Sequence, residues 1–118
     1  MKVLVANSDP LILKMFNLAF AKVDAVTIVG LTADDTEIVN ICIGRVPDIL
    51  LLDCRFCSRE MVAEIKKHCP QMKVIILTLF GNPHEVKQAL ATGADGSIAK
   101  ADGVFSLIES LSIMARAS

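Results

Sequence analysis

Ile49-Leu50-Leu51-Leu52-Asp53 decides the fold. Four consecutive apolar residues leave no polar side for water, the signature of a strand covered on both faces of a sheet. The run stops on a carboxylate and a helix-like pattern follows, so Asp53 reads as a reactive group presented at a strand end.

Three further apolar runs finish in the same way. Val3-Leu4-Val5-Ala6 gives way to Asn7-Ser8-Asp9, Val74-Ile75-Ile76-Leu77 to Thr78, and Ile98-Ala99 to Lys100. If the four are parallel neighbours, their polar ends gather on one edge of one sheet. Open α/β sheets bind and react at that edge, near the topological switch point.

Strand-like runs begin near Val3, Val26, Ile49, Val74 and Gly96, about two dozen residues apart, with one helical pattern in each gap. Consecutive βα units of this kind predict a five-stranded parallel sheet with helices on both faces. Asp9-Pro10 supplies an N-cap with proline at the first helical position, ahead of Leu11, Met15 and Leu18 at i, i+4 and i+7. Asp34 with Glu37 predicts a capping box before Ile38, Ile41 and Cys42, and Asn82-Pro83 with Glu85 another, with Val86 and Leu90 facing inward. The third helix begins near Ser58, burying Val62 and Ile65 and exposing Lys66 and Lys67. The fifth follows Asp102-Gly103 and buries Leu107, Leu111 and Met114.

The chain has 118 residues, 53% of them hydrophobic, which suits one domain and not two. A net charge of -1, from 12 Lys and Arg against 13 Asp and Glu, leaves no basic surplus for nucleic acid or an anionic membrane. No apolar stretch reaches the roughly 18 residues of a membrane span, and the N-terminus is too short in apolar character for a signal peptide. A soluble cytoplasmic protein is the expectation. The four cysteines fit a reducing compartment and read as buried thiols, since a chain this apolar has no need of a disulfide framework.

From Val3 to about Ala115 the spacing resembles the receiver (CheY-like) domain of bacterial response regulators. Val3–Pro10 is similar to that family's first strand and acidic turn, Leu51-Leu52-Asp53 to its phosphoacceptor strand, and Ile76-Leu77-Thr78 to its switch hydroxyl. Gly93–Asp102 is close to the variant in regulators of the LuxR/NarL type. The resemblance implies a flavodoxin-like (CheY-like) doubly wound sheet of order 2-1-3-4-5, with residues 1–118 a receiver domain at the front of a longer transcription regulator. It implies a signalling protein, not an enzyme, with a sensor histidine kinase and a second copy of itself as partners, and DNA contact only through an attached domain. It also implies that Asp53 takes a phosphoryl group with Mg2+ present, Lys100 supplying counter-charge and Thr78 the hydroxyl that moves to the phosphoryl oxygen.

The departures fall where the metal belongs. The family's adjacent acids coincide with Asn7 and Ser8, so Asp53 stands alone as a carboxylate. A charge pair at 4 Å is worth about 4 kcal/mol at an effective dielectric near 20, so losing two anions predicts a weak or lost Mg2+ site. Its remaining ligands would be Asp53, Ser8, Asn7 and the backbone carbonyl of Arg55, with Asp9 in reserve but better suited to capping. Cys54–Glu60 replaces the usual proline- and glycine-containing loop after Asp53, and Ser97 stands where the family often has an aromatic ring. The alternative expectation is a receiver-like module that dimerises or docks a partner without phosphorylation.

Other motifs carry less. Cys54-Arg55-Phe56-Cys57 has C-x-x-C spacing for a redox pair, though two cysteines packed as small apolar residues explain it as well. A metal site joining them to His68 and Cys69 fails on reach, since those residues lie about 15 Å along the third helix at 1.5 Å per residue. His84 reads as a solvated residue, Asp34-Asp35 as a solvated turn, and Met15, Met61, Met72 and Met114 as core or edge filling. No Gly-rich nucleotide loop or nucleophile elbow is present.

Overall fold

A computed structural model describes residues 1–117, with side chains to Met114 apart from Val104. Five parallel strands, β1 (Lys2–Ala6), β2 (Thr27–Thr32), β3 (Ile49–Asp53), β4 (Lys73–Thr78) and β5 (Gly96–Ala99), form one sheet in the order β2-β1-β3-β4-β5. Between them run α1 (Pro10–Phe20), α2 (Ile38–Arg45), α3 (Arg59–His68) and α4 (Pro83–Ala91), with α5 (Gly103–Ala117) closing the chain. Short 3-10 turns, Asp35–Glu37 and Lys100–Asp102, lead into α2 and α5. The strand order and parallel pairing are those expected of the doubly wound sheet.

Alternate strand residues feed two cores. Leu4, Leu50, Leu52, Val74 and Ile76 pack with Ile38, Val62, Ile65 and Met72 on one face. Val3, Val5, Leu51, Ile75 and Leu77 pack with Phe16, Phe20, Leu107 and Leu111 on the other. Every residue from Ile49 to Asp53 is buried, which is why this run shows no alternation. Each buried leucine contributes about 2 kcal/mol relative to water.

The helices sit where the caps place them, but several predicted faces are corrected. In α1 the Asp9 carboxylate accepts from Leu11 N at 2.9 Å, yet Leu11, Met15 and Leu18 are exposed and Leu13, Phe16 and Phe20 turn inward. The helix carries two apolar stripes, and the one with both phenylalanines buries more area and takes the core. In α4, Ala89 occupies the inward position and packs in the core, Val86 is half-buried and Leu90 is exposed. Met114 is half-buried and Met15 lies at the surface.

The Asn82–Glu85 capping box forms, with Asn82 Oδ1 accepting from Glu85 N at 2.9 Å. The Asp34–Glu37 box does not. Asp34 accepts from Thr36 N and Thr36 Oγ1, while Glu37 is drawn off by the Thr32 hydroxyl at 3.1 Å. Asp34-Asp35 remains an exposed turn.

Lys66, expected in solvent, instead folds against the sheet edge to pair with Asp95 and donate to the Met72 carbonyl. Asp95 Oδ2 also accepts from Val74 N at 2.8 Å. Burial works to raise the Asp95 pKa, but these donors outweigh it and hold the carboxyl below its ordinary value. Asp95→Ala is expected to cost about 2 kcal/mol, the scale of losing charged hydrogen bonds that are partly solvated. Urea denaturation checks this, and a loss below about 0.5 kcal/mol would refute the clasp.

Candidate functional site

The strand register assembles the site. Ala6 pairs with Leu52, so the residues that follow, Asn7 and Asp53, flank one another where β1 and β3 part. Asp53 aligns with Leu77 and Thr78 with Ala99, which brings Thr78 and Lys100 to the same edge. Because the connections from β1 and β3 leave in opposite directions, the edge opens a crevice at the switch point.

Asp53 is 1% exposed. Its Oδ1 accepts from Lys100 Nζ at 2.9 Å and lies 3.4 Å from Arg55 N and 3.5 Å from Cys54 Sγ. Oδ2 meets only Ser8, through N at 3.4 Å and Oγ at 3.3 Å. Burial alone would raise the Asp53 pKa, but the hydrogen bond and charge of Lys100, aided by the Arg55 and Ser8 amides, hold it below the ordinary carboxylate value. The Asp53 carboxylate therefore stays ionised at neutral pH, with one oxygen firmly held and the other loosely held.

Around this pair the edge is close to neutral. Asn7 is 1% exposed and its Oδ1 accepts from Asp9 N at 2.9 Å. Asp9 stays outside as the cap of α1, and Arg55 meets the carboxylate through its amide N–H, a donor. Thr78 is buried, its hydroxyl 3.5 Å from the Ile98 carbonyl. Ser97 is half-buried on β5 opposite Ile76. The loop after Thr78 turns through Gly81, whose φ of +72° and close approach to Ala99, 2.8 Å from an added Cβ, demand glycine.

Two participants escaped sequence reasoning. Glu85 does more than close its capping box: its carboxylate also accepts from Leu79 N at 2.9 Å and Phe80 N at 3.1 Å, binding the loop beyond Thr78 to the first turn of α4. Cys54 lies against the Asp53 carboxylate, a contact foreseeable only from the turn in which Phe56 N donates to the Asp53 carbonyl. Burial, and for Cys54 the adjacent Asp53, push the Cys54 and Cys57 thiols up, and all four cysteines are free. Burial also pushes the Cys42 thiol up to about 12. Raised thiols are poor nucleophiles, which counts against redox chemistry at the C-x-x-C.

His84 is exposed at the start of α4, and His68 pairs with Glu64 at 3.0 Å on α3. A groove of about 1070 Å³, lined in part by Val46, His68, Pro70 and Met114, lies at the other end of the sheet, away from Asp53 and Lys100.

Residues 3–112 match the response regulator receiver domain family. The chain is a response regulator receiver domain. It is 27% identical over 118 residues to the uncharacterized transcriptional regulatory protein YxjL of Bacillus subtilis, covering 98% of this chain and 54% of that one. The isolated receiver domain of RcsB from Salmonella enterica superposes with a TM-score of 0.85 at 22% identity, covering 100% of this chain and 90% of that one. The receiver domain of the putative response regulator NarL from Mycobacterium tuberculosis gives 0.84 at 22%, covering 99% and 97%. The resemblance to the LuxR/NarL type is borne out, and the receiver spans about half the length of the curated relatives it matches. Among the described residues no helix is long and apolar enough to cross a membrane.

Receiver domains generally bind Mg2+ at the phosphorylation site. The residues placed to hold such an ion here include a single carboxylate, that of Asp53. A hard dication wants several anionic or free carbonyl oxygens, and beyond the Asp53 carboxylate, already paired with Lys100, this edge offers an Asn7 oxygen that accepts from Asp9 N, the Ser8 hydroxyl and the Arg55 backbone carbonyl, all neutral. Among the described residues no group of three His, Cys, Asp or Glu is placed to hold a metal.

Proposed function

We propose that this receiver is the regulatory part of a two-component transcription regulator, with Asp53 as phosphoacceptor in a pocket that holds Mg2+ weakly. The observation that carries the reading is the buried Asp53–Lys100 pair at 2.9 Å. A carboxylate kept ionised at a switch-point crevice, with a cation against one oxygen, has the charge balance that attack on a phosphoryl group requires. Asp53 Oδ2 forms the bond to phosphorus as the P–N bond of a phosphohistidine breaks. The electron pair leaves on the imidazole nitrogen, which takes up a proton.

On this reading Lys100 stabilises the added negative charge, and Thr78, one strand away, supplies the hydroxyl that follows it. The partner is a sensor histidine kinase, the output a dimer, and DNA is reached through a domain beyond these residues. The relatives' double length and the transcriptional role in the name of YxjL support that last point.

Incubation with acetyl phosphate, followed by intact mass, tests the assignment. One phosphoryl group is expected on the wild type and none on Asp53→Ala. The absence of acids beside Asp53 favours a second reading, a module that acts through its surfaces without phosphorylation. No mass gain in any buffer would select that reading.

A further inference from the structure

We infer that the Asn7 carboxamide is a hydrogen-bond donor to the phosphoryl oxygens carried on Asp53, standing in for the dication that this pocket is poorly made to hold. The inference rests on Asp53 being the phosphoacceptor.

Asn7 Nδ2 is the one buried side-chain nitrogen or oxygen without a partner among the described residues. Its direction is fixed by chemistry: Oδ1 accepts from Asp9 N at 2.9 Å, and turning the amide over would set two donors against each other. The NH2 group must therefore point away from the Asp9 amide, inside the protein, where an unused donor carries an uncompensated desolvation cost. Such an atom marks a position awaiting an acceptor.

The acceptor is implied by the arrangement at Asp53. Lys100, Arg55 N and Cys54 crowd Oδ1, whereas Oδ2 has only the two long contacts from Ser8. Oδ2 is the freer nucleophile, and it faces the β1 end of the crevice. A phosphoryl group bonded there would lie beside Ser8 and its neighbour Asn7, where the Ser8 amide, the Ser8 hydroxyl and the Asn7 NH2 can all donate. Asp53 and Lys100 cancel in charge, so an incoming phosphoryl anion meets no surplus of carboxylates for a dication to neutralise. Neutral donors fixed in a water-poor site then do the work of charge stabilisation.

The mass balance is that of ordinary acyl phosphate formation. With acetyl phosphate the Asp53 Oδ2–P bond forms, the bond between phosphorus and the acetate oxygen breaks, and acetate leaves with the electron pair.

The test uses acetyl phosphate in buffer containing EDTA, with labelling followed by intact mass. The wild type is expected to react within about fivefold of its rate in Mg2+ buffer, and Asn7→Ala to react roughly a hundred- to a thousandfold more slowly, the usual loss for one oxyanion donor. Because Asn7→Ala could perturb the β1 turn, the wild-type side-chain NH2 resonances of Asn7 are followed in parallel. They should shift on phosphorylation and stay still in Asp53→Ala. Labelling that needs Mg2+, or Asn7→Ala matching the wild type with an unmoved NH2 signal, overturns the role of Asn7 and leaves that of Asp53 intact. No labelling of the wild type in either buffer overturns both.

Discussion

Lys100→Met lowers folding stability by about 3 kcal/mol, the expected cost of stranding a buried carboxylate whose only cation has gone. Asp53 is 1% exposed and the Lys100 side chain 24%, so solvent recovers little of the loss. The pH dependence should invert as well. In the wild type the folded pKa of Asp53 is depressed; its contribution is complete above the unfolded value near 4 and is lost as pH falls through the lower folded value. Without Lys100, burial is opposed only by the Arg55 and Ser8 amides, and the folded pKa is expected to rise above the unfolded one. The variant then gains stability on acidification from pH 7 to pH 5, where the wild type gains none from this group. Adding Asp53→Asn removes the stranded charge and restores most of the loss. Urea denaturation of the wild type and the two variants at both pH values decides it, and Lys100→Met within 0.5 kcal/mol of wild type at pH 7 would contradict the account.

Restoring acids at Asn7 and Ser8 has the other large effect. In Asn7→Asp/Ser8→Asp, three carboxylates share the crevice. At contact distances each added pair is worth several kcal/mol at an effective dielectric near 20 before screening, so a net loss of about 2 kcal/mol is expected without metal. Mg2+ should reverse that penalty, binding at least about 100-fold more tightly than to the wild type. At a concentration 100 times its Kd, the ion stabilises by about 2.7 kcal/mol. Thermal melting across a Mg2+ series reads this directly. Equal responses from variant and wild type would mean that residues 7 and 8 do not set the affinity.

Sequence reasoning reached the fold because its strongest signals are strand-wide. The runs at Val3, Ile49 and Val74 are apolar on both faces, and each ends on the polar residue that the register later aligns. The convergence of Asn7, Ser8, Asp53, Thr78 and Lys100 followed from that alone. Helix faces were less legible: α1 has apolar residues on two sides, and period alone cannot tell Leu11-Met15-Leu18 from Leu13-Phe16-Phe20. The Asp34 box failed through a competitor on the preceding strand, Thr32, and the Lys66–Asp95 clasp joins residues 29 apart in the chain. Side chains whose partners lie on other elements leave no local trace.

Glu85 has a mechanical consequence. Its carboxylate leashes Leu79, Phe80 and Asn82 to the head of α4, so the segment after Thr78 cannot flex as an independent strap. A pull on the end of β4 becomes a tilt of the helix, as force at one arm of a lever appears at the other. A looser segment would dissipate the same pull as local wobble, and nothing would reach the surface.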